Sequence, residues 1–310
     1  MRGIRIRRSA AGMIAVLAFV VLSLPAARAG ARPSQQPSKK RVPASASTLE
    51  ALLVKAAEYC RKLESSAFDF VCREEIRESI DPQLDVTIAR SSRNRPPTPS
   101  SYIGPIISIG RSWSRIKNSY VYDYQCVRAG RTIRETRTQL EENGKRKNVP
   151  NAELQTSVVV FGTALLAPVG LFGERFQPDY DFTVVAEEKI GKTRALVVNA
   201  EPKPGAPPSR NLFGKAWIDA ATGDILKIEW SDSRVGNFDI FEKRGELYKR
   251  TPRLTIRSEF SAEKSGIRFP SRLHVEEAYL KGSSKVFIRS KTDVVYKDFK
   301  FFTVTYEVRD

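Results

Sequence analysis

Histidine occurs once in the chain, at His274, and cysteine three times, at Cys60, Cys72 and Cys126. A single histidine excludes a two-histidine metal site. It sits in Arg272-Leu273-His274-Val275-Glu276, on the polar side of an alternating segment, where a cross-strand surface partner is its expected role. A Ser-His-Asp relay would need it beside a buried aspartate and an elbow serine, and no G-x-S-x-G occurs. Glu74-Glu75 and Glu276-Glu277 are adjacent carboxylates. Neighbours on a strand point to opposite faces, so neither pair can act as a joint acid/base unit. The chain has no P-loop, no dinucleotide fingerprint and no Cys-x-x-Cys. The expectation is a protein without catalysis, cofactor or metal. A hydrolase built on carboxylates from distant strands is the remaining enzymatic alternative.

The three cysteines allow three single pairings, each leaving one thiol free. Cys60 belongs to an apolar helical stripe and Cys72 to the buried face of the strand that follows. Both sulfurs then point into one layer, so a Cys60–Cys72 disulfide is the favoured pairing, contributing about 2–3 kcal/mol. Cys126 would be a small buried apolar residue.

Disulfides are permissible because the chain opens like an exported protein. Arg2, Arg5, Arg7 and Arg8 precede an uncharged run from Met13 to Leu24, and Ala27-Arg28-Ala29 closes it with small residues. That is the layout of a secretory signal peptide over residues 1–29, cut after Ala29. Its apolar run is too short for a hydrocarbon core of roughly 30 Å. A periplasmic or secreted location follows. The net charge is +17, and the leader accounts for five of those charges, so the remainder is still strongly basic at about +12. Outside the cytoplasm such a field favours an anionic membrane surface, an envelope polymer or an acidic protein over nucleic acid.

Residues 30–46, rich in Pro, Ser and basic residues, read as a flexible tether. Ser47-Thr48-Leu49-Glu50 is a capping box. Leu49, Leu52, Leu53, Ala56, Cys60 and Leu63 form the helical stripe behind it. Phe68, Phe70, Cys72 and Ile76 then alternate as a strand. A long basic loop is expected over 80–101. A hairpin over 112–128 and 131–142 places Tyr120, Tyr122, Tyr124 and Cys126 on one face. Leu154, Val158, Phe161 and Leu165 are spaced as a short buried helix, capped at Asn151 and broken at Pro168. From Asp181 onward nearly everything reads as strands, with a loop at 201–210, alternating strands over Leu254 to Phe260 and Leu273 to Tyr279 around Ser265-Gly266, and a closing pair of strands carrying Val286, Ile288 and Val294, then Phe302 to Val308. Roughly ten strands in short hairpins imply one antiparallel sheet. So many strands curl. The expected fold is mainly β: a large unclosed half-barrel wrapping one or two helices, in a single domain over 47–310.

Two strand-turn-strand segments carry a resemblance. Gly214-Lys215-Ala216-Trp217-Ile218-Asp219-Ala220-Ala221-Thr222-Gly223-Asp224-Ile225 has the form G-x-φ-W-φ-D-x-x-T-G-x-φ. Gly266-Ile267-Arg268-Phe269-Pro270-Ser271-Arg272-Leu273 has the form G-φ-x-φ-P-x-x-φ. Thr222-Gly223 permits a tight turn, Asp219 can cap it and Trp217 packs on the sheet. Together these segments resemble the outer-membrane lipoprotein-sorting and carrier superfamily. The resemblance implies an unclosed antiparallel barrel around helices, with an apolar cavity for acyl chains.

The functional expectation is therefore a periplasmic binding or carrier protein for a lipid, an acylated protein or another amphipathic ligand. Tyr120, Tyr122 and Tyr124 would form one wall of its cavity. Val158, Phe161, Leu165, Leu166 and Phe172 would form a helix that either fills the sheet or moves aside. The alternative is a non-catalytic interaction or sensory module of the same fold. Its loops near Arg93, Arg95 and Arg131 would dock an acidic protein or envelope polymer.

Overall fold

Strand alternation and one long amphipathic helix account for most of the chain. The computed structural model describes residues 46–68, 70–85, 114–129, 132–156, 164–207, 213–230, 238–282 and 285–301. Residues 39–310 form one compact unit, and residues 1–38 lie outside the described residues. The expected leader, tether, and loop residues near Arg93, Arg95 and Arg131 also fall outside, as do Val158 and Phe161.

Helix α1 covers Ala46–Ser66. It starts one residue before Ser47, whose side chain lies outside the described residues. Its stripe is buried at Leu52, Ala56, Cys60 and Leu63, with Leu49 and Leu53 packed alongside. Strand β1 (Phe70–Ile80) follows, then β2 (Ile116–Ala129), β3 (Thr132–Glu142) and β4 (Lys145–Val149). Helix α2 (Ala167–Phe172) precedes β5 (Tyr180–Ile190), β6 (Thr193–Pro202), β7 (Gly214–Asp219) and β8 (Ile225–Trp230). Helix α3 (Phe238–Tyr248) leads into β9 (Thr251–Glu259), β10 (Ala262–Lys264), β11 (Ile267–Phe269), β12 (Arg272–Lys281) and β13 (Lys285–Phe301).

Eleven strands make one antiparallel sheet in the order β4-β3-β2-β1-β13-β12-β9-β8-β7-β6-β5. The order starts at β4 and ends at β5, so the sheet is unclosed. Most neighbours are consecutive in the chain. Two pairs are not: β9 pairs with β12 across the β10–β11 ribbon, and β1 pairs with β13 as well as β2, bringing the two ends of the domain together near the sheet's centre. Strands β10 and β11 stand apart as a two-stranded ribbon turned at Ser265-Gly266.

The sheet's two faces divide by period 2. On β1, Phe70, Cys72, Glu74, Ile76, Glu78 and Ile80 face the helices, while Arg73, Glu75 and Arg77 face out. The aligned partners on β2 are Tyr120, Tyr122 and Tyr124, opposite Ile76, Glu74 and Cys72. One core cluster joins this face to α1 and α2. A smaller apolar cluster of Ala186, Ala195, Val197, Trp217 and Leu226 lies on the outer face.

Four expectations are corrected. Pro168 does not break a helix but opens one. It lies in the first turn of α2, where its missing N–H has no helical acceptor to lose. Residues 152–156 ahead of it are not helical. A helix, α3, stands where only strands were expected. Ser265-Gly266 turns the small ribbon rather than joining two strands of the main sheet. The disulfide is absent: Cys60, Cys72 and Cys126 are all buried free thiols. The Cys60 thiol turns to the Pro168 carbonyl on α2, 3.4 Å away, rather than to β1.

Candidate functional site: a groove between two helices

Both sequence motifs meet at α1. The first closes the β7–β8 hairpin, where the Asp219 carboxylate accepts the backbone N–H of Ala221 and Thr222 at 2.8 and 3.3 Å. The Thr222 hydroxyl accepts the Asp224 N–H at 3.2 Å. Gly223 sits at φ +81°, and a Cβ there would lie 2.3 Å from the Lys55 Cβ of α1. Lys55 Nζ donates to the Ala221 carbonyl at 2.8 Å. The second motif supplies another support: the Tyr59 hydroxyl donates to the Arg268 carbonyl at 2.9 Å. Arg268 also faces Asp224 of the first motif at 3.6 Å. The turn glycine is thus where a helix rests on a hairpin, a close approach that only a residue without a side chain permits. Trp217 faces outward, donating to Glu188 at 2.9 Å beneath Lys227. Gly214 opens β7, Gly266 turns the ribbon at φ +71°, and Pro270 is buried.

On its other side α1 lies against α2, and a groove of about 450 Å³ runs along the seam. Val54, Ala57, Cys60, Val169 and Gly173 supply its apolar lining. Cys60 and Val169 belong to the core, so the groove's floor reaches the interior. Val54 is 65% exposed, an apolar side chain left in water at the groove. Gln177 closes one end, its amide donating to Leu53 O of α1 and Phe172 O of α2, both at 2.9 Å. Charges surround the lining: Arg61 pairs with Glu58 at 2.7 Å and Arg175 with Glu64 at 3.1 Å. Burial pushes the Cys60 thiol well up, so it is a neutral apolar surface and not a nucleophile.

Apart from Val158 and Phe161, which lie outside the described residues, the expected cavity residues lie in or against the packed core that also holds Cys60 and Val169. Tyr122, Tyr124, Leu165 and Phe172 are fully buried, Tyr120 nearly so, and Leu166 is half-buried. Tyr120 stacks on Tyr122 at 6.4 Å, and Tyr124 meets Tyr296 edge-on at 5.9 Å. Phe172 packs on Phe182 of β5. The Tyr122 hydroxyl accepts the Gln155 N–H at 3.2 Å, and the Tyr124 hydroxyl donates to Glu135 at 2.8 Å.

Two ionic clusters occupy the same face. Arg137 pairs with Glu74 at 2.6 Å and Glu135 at 3.1 Å. Burial pushes the Glu74 carboxyl above its ordinary range against the pull of Arg137. Glu277 accepts from Arg244, Arg289, Tyr279 and Ser290. Burial opposes its charge too, but two guanidiniums outweigh it and hold Glu277 below the ordinary range. Asp85 and Tyr248 close this second cluster, the aspartate 3.0 Å from Arg289. His274 faces Asp293 across the strands at 3.0 Å on the outer face.

Sequence reasoning missed the groove. Its signal was Val54 and Ala57, which widen the apolar stripe of α1 beyond the width a single packed neighbour needs.

No family model matches the chain, and no curated protein matches it. Solved structures that are similar to the chain are so at low sequence identity. A LolA superfamily protein from Nitrosomonas europaea is 12% identical, with 83% of this chain and 94% of that one covered and a TM-score of 0.33. A "putative outer membrane lipoprotein-sorting protein domain" from Vibrio parahaemolyticus is 9% identical over 82% and 95%, at 0.38. A DUF1329 family protein from Desulfovibrio piger is 10% identical over 80% and 92%, at 0.35. Among the described residues no helix is long and apolar enough to cross a membrane.

Proposed function

We propose that this chain is a non-catalytic binding or carrier protein of the cell envelope for an amphipathic ligand, an acylated lipid or lipoprotein. The observation that carries the reading is the α1–α2 groove. Its volume falls within the roughly 300–1,000 Å³ of small-molecule sites, and it joins an apolar floor to a charged rim. An acyl chain enters along Val54 and Ala57 and lies on Cys60 and Val169. Its headgroup stays at the rim with Arg61 and Arg175. Helix α2 is only six residues long and is tied to α1 at Gln177, so a longer chain is accommodated by displacing it.

A second reading has its own support. Tyr122 and Tyr124 are buried with their hydroxyls bonded, which suits a packed interaction module that holds no lipid.

Native mass spectrometry of mature protein from envelope extract, with organic extraction, separates the two. A co-purifying lipid or acylated peptide near one-to-one supports the carrier. A clean apo mass, unchanged by added lipid, sinks it and favours the module.

A further inference from the structure

The sheet's outer face carries a charge pattern of its own. On its five central strands, β1, β13, β12, β9 and β8, each of four acidic residues is shared between two bases. Glu229 is held by Lys227 at 2.9 Å and Arg257 at 3.2 Å. Glu276 is held by Lys291 at 3.4 Å and Arg253 at 3.7 Å. Glu75 is held by Lys297 at 2.7 Å and Arg73 at 3.1 Å. Asp293 is shared by Arg272 and His274, both at 3.0 Å.

Each acid orients two cations, and where both are Lys or Arg one positive charge is left over. With Arg77 and Glu259 included, these named outward residues are eight Lys or Arg against five Asp or Glu. The surplus is not buried. Arg73, Arg253, Arg257, Arg272, Lys291 and Lys297 keep 40–51% of their side chains in solvent, spread across the strands.

Geometry selects the partner. Adjacent strands lie about 4.8 Å apart, so five strands set these cations in a two-dimensional array roughly 20 Å wide. A linear polyanion would engage one row of it. A bilayer surface offers anions in two dimensions and engages cations on several strands at once. We infer that the outer face of the central strands docks on an anionic phospholipid surface through headgroup contacts, without insertion. This goes beyond the carrier reading and does not depend on it. The helices lie on the opposite face of the sheet, so docking leaves the α1–α2 groove free.

The test is vesicle co-sedimentation of the mature protein with phosphatidylglycerol/phosphatidylcholine vesicles and with pure phosphatidylcholine. Two variants lose the same charge: Arg257→Gln/Lys291→Gln/Lys297→Gln on the face, and Lys145→Gln/Arg146→Gln/Lys147→Gln on the β4 edge. Circular dichroism confirms that both fold. The expected result is binding to anionic vesicles only, weakened by salt, and about tenfold or more weaker in the face variant while the edge variant stays near wild type. Equal loss in both variants would reduce the effect to net charge and overturn the inference. So would absent binding, equal binding to neutral vesicles, or competition by polyglutamate that removes the protein from vesicles at matched charge.

Discussion

Arg137 on β3 reaches across β2 to Glu74 on β1, its Nε 2.6 Å from one carboxylate oxygen and its Nη2 3.2 Å from the other. The pair passes beside Tyr124, whose ring lies 4.9 Å from the guanidinium. A two-pronged charge-assisted bond of this kind fixes the three strands against one another.

Arg137→Ala leaves the Glu74 carboxylate buried without its cation. The expected cost is about 3–5 kcal/mol, while the double replacement Glu74→Met/Arg137→Met recovers most of it. Urea unfolding of the two variants checks this.

The two buried carboxylates have opposite pH dependence. Glu277 titrates below its ordinary value of 4.5 in the folded protein, so it contributes stability above that pH that is lost as pH falls through its folded value. Glu74 titrates above its ordinary value of 4.5, so its contribution is present below that pH and is lost as pH rises through its folded value. Glu277→Gln therefore flattens the acid limb of the stability curve below pH 4.5. Glu74→Gln removes a loss of stability above it. Urea midpoints measured across this range for both variants read the two signs.

Gly223 and Gly266 both turn at positive φ, but only Gly223 meets another element. Gly266→Ala should cost about 1 kcal/mol from backbone strain alone. Gly223→Ala adds an overlap with the α1 backbone, worth a further ~1–3 kcal/mol. It should also raise amide exchange in α1, which Gly266→Ala should leave unchanged.

The three thiols are shielded chemically as well as sterically. Burial pushes Cys126 up to about 11 and Cys60 and Cys72 higher. Maleimide at pH 8 should label none in the folded protein and all three in denaturant. Rapid labelling of a native thiol would contradict their packing.

The hairpins β5–β6 and β7–β8 were legible because period-2 alternation and glycine turns are local signals. Helix α3 was not. Its buried face carries Arg244 beside Phe241 and Gly245, and a charge at a core position erases the apolar period. Arg244 is there to meet Glu277, a partner 33 residues away that no local pattern reveals. The β1–β13 pairing is hidden for the same reason, since it joins residues more than two hundred positions apart. Pro168 was read as a terminator because proline stops and starts helices alike, and only the flanking backbone decides which. For the site, the motifs marked the seat of α1, while the groove depends on how α2 comes to lie on that helix.

Titration with a fluorescent fatty-acid probe, wild type against Ala57→Trp, tests the carrier reading most directly. Ala57 lines the groove and is half-buried, so an indole there fills the space while leaving the core stripe of α1 in place. The account predicts saturable binding near one site per chain for the wild type, and loss of that binding in the variant at unchanged thermal stability. No saturable binding by the wild type, or equal binding by both proteins, would contradict it.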